Sequence, residues 1–85
     1  SDIHIEPMSD RVRVRYRVDG VCLEKDNIPK NMQAPLIARF KIISGMDIAE
    51  KRLPQDGRIK KVIEDQDIDF RVSSLPAYHG PSIVF

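Results

Sequence analysis

Eighty-five residues with 14 basic and 13 acidic side chains, a net charge of +1 and a 41% apolar fraction describe one ordered domain. Such a chain is too short for a nucleotide-binding fold with a second domain beside it, and too apolar for a disordered segment. It is also too balanced in charge to be drawn as a whole to nucleic acid or an anionic membrane. The single cysteine, Cys22, closes no internal disulfide and fits a reducing compartment, so the cytoplasm is the expected location. No apolar run approaches the roughly 20 residues of a membrane span, and no signal-peptide pattern opens the chain. The opening at Ser1 and the close within Ile83-Val84-Phe85 read as a domain taken from a longer polypeptide.

Ile3 to Glu6 alternates apolar and polar side chains before Pro7, which predicts a short strand ended by a residue with no N–H to give. From Arg11 to Val18 the alternation is strict, with Val12, Val14, Tyr16 and Val18 on one face and Arg11, Arg13, Arg15 and Arg17 on the other. Asp19-Gly20 supplies the positive-φ positions of a type I′ turn, and Val21 to Glu24 forms the returning strand. An unbroken hairpin of this kind pairs positions of constant sum. Val18 then faces Val21, Tyr16 faces Leu23 within the core, Arg15 faces Glu24 and Arg13 faces Asp26. Each opposite-charge pair is worth about 0.2–1 kcal/mol and partly neutralises the arginine stripe.

Pro29 and Pro35 bracket a connection, after which Leu36, Ile37, Phe40 and Ile43 recur at helical spacing and Gly45 is placed for a left-handed C-terminal position. A helix from about Ala34 to Ser44 follows, with Pro35 in its first turn and Lys41 near its end to favour the macrodipole. Asp47 and Glu50 resemble a capping arrangement for one further short turn before Pro54. Pro54-Gln55-Asp56-Gly57 reads as a turn, and Arg58 to Ile63 as an edge strand. Beyond an acidic turn near Glu64-Asp65, Asp67 to Ser74 puts Ile68, Phe70 and Val72 on one face and Asp67, Asp69, Arg71 and Ser73 on the other. A loop through Pro76 and His79-Gly80-Pro81 leads to a last strand from Ser82 to Phe85. The fold class is therefore α+β, a mostly antiparallel sheet of about five to six strands whose apolar face is covered by one main helix.

Few residues suggest chemistry. Gly20, Gly45, Gly57 and Gly80 are too scattered to cradle a phosphate, and no GxxxxGK[ST] run exists, so hydrolysis of a nucleoside triphosphate by this chain alone is not expected. His4 and Glu6 share a strand face but offer two ligands where a metal usually takes three, and a polar strand face is the plainer reading. Cys22 and His79 lack any activating context for a nucleophile and its base. The stripe of Arg11, Arg13, Arg15 and Arg17 could track a phosphate backbone, yet it faces Glu24 and Asp26 and has no interleaved aromatic for base stacking. A charged outer face with no nucleic-acid partner is the expectation. Arg71, beside Asp69, reads from pattern alone as an ordinary exposed strand arginine.

Four stretches change that weight. Ser1-Asp2-Ile3-His4-Ile5-Glu6-Pro7, Arg15-Tyr16-Arg17-Val18-Asp19-Gly20-Val21, Met46-Asp47-Ile48-Ala49-Glu50-Lys51-Arg52-Leu53-Pro54-Gln55-Asp56-Gly57-Arg58, and Asp69-Phe70-Arg71-Val72-Ser73-Ser74-Leu75-Pro76 with His79-Gly80 span nearly the whole chain. In this order they resemble the second N-terminal domain of type II secretion and type IV pilus assembly ATPases. The resemblance implies a PAS-like domain over residues 1–85, joined by a short linker to a RecA-like motor domain that lies outside this chain and carries the phosphate loop and magnesium. It implies a bacterial, cytoplasmic hexamer, associated peripherally with the inner membrane through secretion or pilus platform proteins. The partners so implied are the chain's own motor domain and neighbouring subunits, and ATP and Mg are cofactors of the parent, with none in this fragment. Arg71 matches a family arginine that approaches the nucleotide phosphates from outside the motor, a role like an arginine finger, and a second such arginine would follow Phe85. Pro81 departs from the glutamate that many relatives carry after His79-Gly80, so no interface role of that glutamate transfers. The rival reading is a free-standing PAS-like sensory or small-ligand module.

Overall fold

The computed structural model describes residues 2–85; Ser1, the first residue of the first stretch quoted above, lies outside them. Strands β1 (Asp2–Pro7), β2 (Arg11–Val18) and β3 (Val21–Pro29) precede a single 3-10 turn (Lys30–Met32) and helix α1 (Gln33–Ile43). Strands β4 (Gln55–Ile63), β5 (Gln66–Leu75) and β6 (Ser82–Val84) follow it. The strands form one sheet in the order β3-β2-β1-β6-β5-β4, with every pairing antiparallel. The expected α+β architecture stands, and β4 is an edge strand as its weak alternation predicts.

The period-two pattern fixes which face meets the helix. Ile5 of β1, Val12 of β2, Ile59 of β4, Val72 of β5 and Ile83 of β6 join Ile37 of α1 and Met46 in the buried cluster. Phe40 meets Phe85 in a tilted contact at 5.2 Å between ring centroids, and Phe70 meets Phe85 edge-on at 6.2 Å. The helix does not reach the hairpin ends: Val18, Val21 and Leu23 lie on the core-side pattern yet remain largely exposed. Tyr16 does pair with Leu23, but at the rim of the core rather than inside it.

The β2–β3 register departs from the unbroken one. Val18↔Val21, Tyr16↔Leu23 and Arg15↔Glu24 hold, after which a bulge between Val14 and Arg15 shifts the ladder, giving Val14↔Asp26, Arg13↔Asn27 and Val12↔Ile28. The reason is the core. An unbroken ladder would set Asn27 against the fully buried Val12 and turn Ile28 to solvent. One extra residue reverses this and packs Ile28 on the core cluster. Arg13 consequently never faces Asp26.

The helix ends as the glycine predicts. Gly45 has φ +78, its N–H reaches the Ile42 carbonyl at 3.2 Å and the Met46 N–H reaches the Lys41 carbonyl at 2.8 Å, which inserts Met46 into the core. Lys41 lies in the last turn as expected, and it is also buried, with Nζ 3.0 Å from the Glu50 carbonyl oxygen. Asp47 and Glu50 do not start a helix. Asp47 Oδ1 accepts from Ala49 N, and Glu50 Oε1 accepts from Arg52 N and Leu53 N, so each carboxylate closes its own tight turn.

Gln55, Asp56 and Gly57 are strand residues rather than a turn. A Cβ on Gly57 would collide with the Ser44 carbonyl oxygen, and the next residue, Arg58, donates its N–H to that oxygen at 3.2 Å. The glycine admits the helix end against the edge of β4. The Gln55 amide accepts from Asp47 N at 2.8 Å and donates to Asp47 O at 2.9 Å, tying the 46–54 loop to the strand. The true turn on this side is Glu64-Asp65, where both residues have positive φ of 51 and 63.

Candidate functional site

Because Val72 lies in the buried cluster with Phe70 packed against it, Asp69, Arg71 and Ser73 stand on the opposite face of β5. The two-residue turn at Glu64-Asp65 sets the register with β4: Asp56↔Ser73, Arg58↔Arg71 and Lys60↔Asp69. Arg58 Nη2 lies 3.1 Å from Asp69 Oδ2, and Ser73 Oγ donates to Asp56 Oδ1 at 2.8 Å. The acidic neighbour that the pattern assigned to Arg71 is thus taken by Arg58 across the strand. Arg71 is exposed, and among the described residues its guanidinium makes no hydrogen bond or ion pair. It lines a shallow depression together with Asp56, Gly57, Arg58 and Ser73. Two guanidinium-bearing side chains directly opposite one another disfavour each other, and an anion placed between them relieves that repulsion while accepting the forked donors of Arg71. Arg58 was missed as a neighbour of the site, although the constant-sum arithmetic across Glu64-Asp65 contains it.

The other candidates separate. Glu6 is held by Arg15, whose Nε and Nη2 donate to its two oxygens at 2.5 and 2.9 Å, and Arg13 Nη2 lies 3.4 Å away. Burial on its own would raise the Glu6 carboxyl, but the Arg15 hydrogen bonds and the charges of Arg15 and Arg13 outweigh it and leave the pKa below its ordinary value of 4.5. Glu6 is therefore committed to the arginine stripe and is not free to act with His4. Arg15 faces Glu24 in register, yet its partner is Glu6 on the other neighbouring strand. Arg11 bonds Asn27 Oδ1 at 2.7 Å and approaches Asp10 and Glu24 at 3.1 and 3.8 Å. The stripe is neutralised over Arg11, Arg13 and Arg15. Cys22 sits on β3 across from Arg17, near the hairpin turn, while His79 lies in the loop before β6, its ring against Tyr78. The antiparallel order puts these at opposite ends of the sheet. Among the described residues no group of three or more His, Cys, Asp or Glu side chains could hold a metal ion. Among the described residues no helix is long and apolar enough to cross a membrane.

The family model described as Type II/IV secretion system protein matches residues 1–85. The chain belongs to this family. It is 51% identical over 84 residues to type II secretion system protein E of Xanthomonas campestris, and 52% identical over 85 residues to the type IV pilus assembly ATPase PilB of Acinetobacter baylyi. Type II secretion system protein HxcR of Pseudomonas aeruginosa is 50% identical over 84 residues. Each match covers 99% of this chain but only 15% of the first two relatives and 18% of the third. The chain thus corresponds to a small part of the proteins it resembles, and their names divide between secretion and pilus assembly without favouring either.

Proposed function

We propose that this chain is the non-catalytic domain preceding the motor domain of a secretion or type IV pilus assembly ATPase, and that Arg71 is its contribution to a composite ATP site. In this reading the domain is PAS-like and the parent is a cytoplasmic hexamer, held peripherally at the inner membrane by platform proteins of the secretion or pilus system. ATP and Mg bind to the motor domain. Closure of the two domains brings the Arg71 guanidinium to the nucleotide phosphates, where fixed, paired donors stabilise charge developing during phosphoryl transfer. Contacts with the chain's own motor domain and with neighbouring subunits set when that closure occurs.

The observation that carries the proposal is the contrast within one strand pair: Arg58 is tied to Asp69, whereas Arg71 is exposed with its donors unspent. A family match over the whole chain supplies the context. The test is steady-state ATPase activity of the full-length protein with Arg71→Ala, at matched folding and oligomeric state. We expect turnover to fall by about a hundredfold or more, as for loss of an arginine that meets the transferring phosphoryl group. Unchanged turnover would return Arg71 to an ordinary surface arginine.

A further inference from the structure

The helix side of the molecule carries a groove that the sheet-face reading leaves unused. Ala34, Ile37 and Ala38 of α1, Ile48 and Lys51 of the loop after it, and Gly80-Pro81 line it, around about 450 Å³. That volume lies within the about 300–1,000 Å³ of ordinary ligand clefts. The small side chains of Ala34 and Ala38 let an incoming backbone approach the helix closely.

Two polar groups on the lining are left incomplete. Lys41 is only 3% exposed, and the Glu50 carbonyl at 3.0 Å is its one hydrogen-bond partner among the described residues. An ammonium carries three donors, and a buried charge with one acceptor is poorly compensated. Gln33 donates Nε2 to the His79 carbonyl at 2.8 Å, which fixes the orientation of its amide, and its Oε1 is buried without a donor. Gly80 belongs to the same arrangement, since a Cβ there would strike Gln33 Nε2.

Charge points the same way. Lys41 and Lys51 are the ionisable residues on the lining, and neither forms an ion pair among the described residues. The nearby carboxylates are occupied: Asp47 binds Ala49 N, and Glu50 binds Arg52 N and Leu53 N. We propose that this groove docks an acidic peptide segment of a protein partner. A carboxylate of the segment meets the exposed Lys51; on docking, the buried Lys41 and Gln33 side chains turn toward it, so that Lys41 shares the carboxylate and Gln33 Oε1 accepts a backbone N–H, while flanking apolar side chains cover Ala34, Ala38 and Ile48. A bare inorganic anion would satisfy the lysines but would leave Gln33 Oε1 without its donor, which is why a peptide fits better. The groove lies on the opposite side of the sheet from Arg71, so the two proposals stand or fall separately.

The test is a titration of the ¹⁵N-labelled chain, followed by amide chemical shifts, with the acetylated and amidated peptide Ala-Leu-Glu-Leu-Ala. Its Gln-for-Glu counterpart, sodium acetate and inorganic phosphate serve as separate probes. Expected are shifts confined to α1 from Gln33 to Lys41, to Ile48 through Lys51 and to Gly80. Binding by the Gln peptide should be at least about tenfold weaker, as for loss of a charge-assisted contact. Lys51→Glu, an exposed change that leaves the remaining spectrum in place, should weaken the Glu peptide similarly, and Arg71→Ala should not. Equal binding of the two peptides would reduce the site to an apolar groove. Acetate or phosphate matching the Glu peptide in shifts and affinity would make it a simple anion site. Absence of shifts with the Glu peptide would remove the docking site altogether.

Discussion

The hairpins on either side of the central β1–β6 pair start from similar material and end differently. Both β2–β3 and β4–β5 turn through two residues with positive φ, and both carry basic side chains on the uncovered face. On the first, β1 supplies Glu6, which gathers Arg13 and Arg15 into a half-buried cluster. On the second, β6 adds Ser82, Ile83 and Val84 alone, so the near carboxylates are the hairpin's own: Asp56 accepts from Ser73 Oγ, and Asp69 is taken by Arg58. The dense arginine stripe is the louder feature of the sequence, yet Arg11, Arg13 and Arg15 in it are bound, whereas Arg71, like Arg17 at the hairpin end, forms no ion pair among the described residues. What a strand charge can do depends on the next strand over, which period-two reading does not reveal.

The largest expected effect tests the second hairpin at its base. Gly57→Ala places a methyl group on the Ser44 carbonyl and must displace either the helix end or β4, breaking the Arg58 N–H bond at 3.2 Å. A loss of about 3 kcal/mol in urea unfolding is expected from such overpacking against backbone. A change below about 0.5 kcal/mol would mean that Gly57 serves some purpose other than close approach.

Next comes Glu6, which tests the first hairpin. Glu6→Ala strands Arg13 and Arg15 and should cost about 2 kcal/mol, in the range for charge-assisted bonds that are partly buried. Its pH dependence has a definite sign. The folded pKa lies below the ordinary 4.5, so between the two values the unfolded chain binds more protons than the folded one. The contribution is therefore complete above about pH 4.5 and is lost as pH falls through the folded pKa. Urea midpoints measured from neutral to acid pH should fall less steeply for Glu6→Gln than for the parent, and parallel curves would refute the pairing.

How far the sequence carries this fold can be read from particular residues. The strict alternation of Arg11 to Val18 and the Gly45 helix stop required nothing beyond local chemistry, and both appear where expected. The bulge was invisible because it answers a demand made elsewhere: Ile28 must meet Val12, and no local signal near Asp26 announces it. The strand character of Gln55 to Gly57 was hidden by turn-forming residues whose purpose is to admit Ser44. Likewise Arg71 was visible as an outward arginine, but its freedom was not, since that follows from Arg58 capturing Asp69. Ile28→Ser tests the bulge directly and should destabilise by about 1.5 kcal/mol through lost apolar burial. Asn27→Ser loses only the exposed bond from Arg11 and should cost less, below about 1 kcal/mol; an unbroken ladder predicts the reverse order.

The smallest expected effect is the most informative about the site. Arg71→Ala removes no hydrogen bond or ion pair among the described residues and relieves the like-charge neighbour of Arg58. Folding stability should therefore change by less than about 0.5 kcal/mol, with any gain confined to low salt, where exposed charges are least screened. Urea unfolding of the isolated chain at two ionic strengths measures both. A loss above about 1 kcal/mol would show that Arg71 is already employed in holding the fold. A guanidinium so employed would have to give up those contacts before it could reach a phosphate, and the contrast between the two hairpins would no longer single it out.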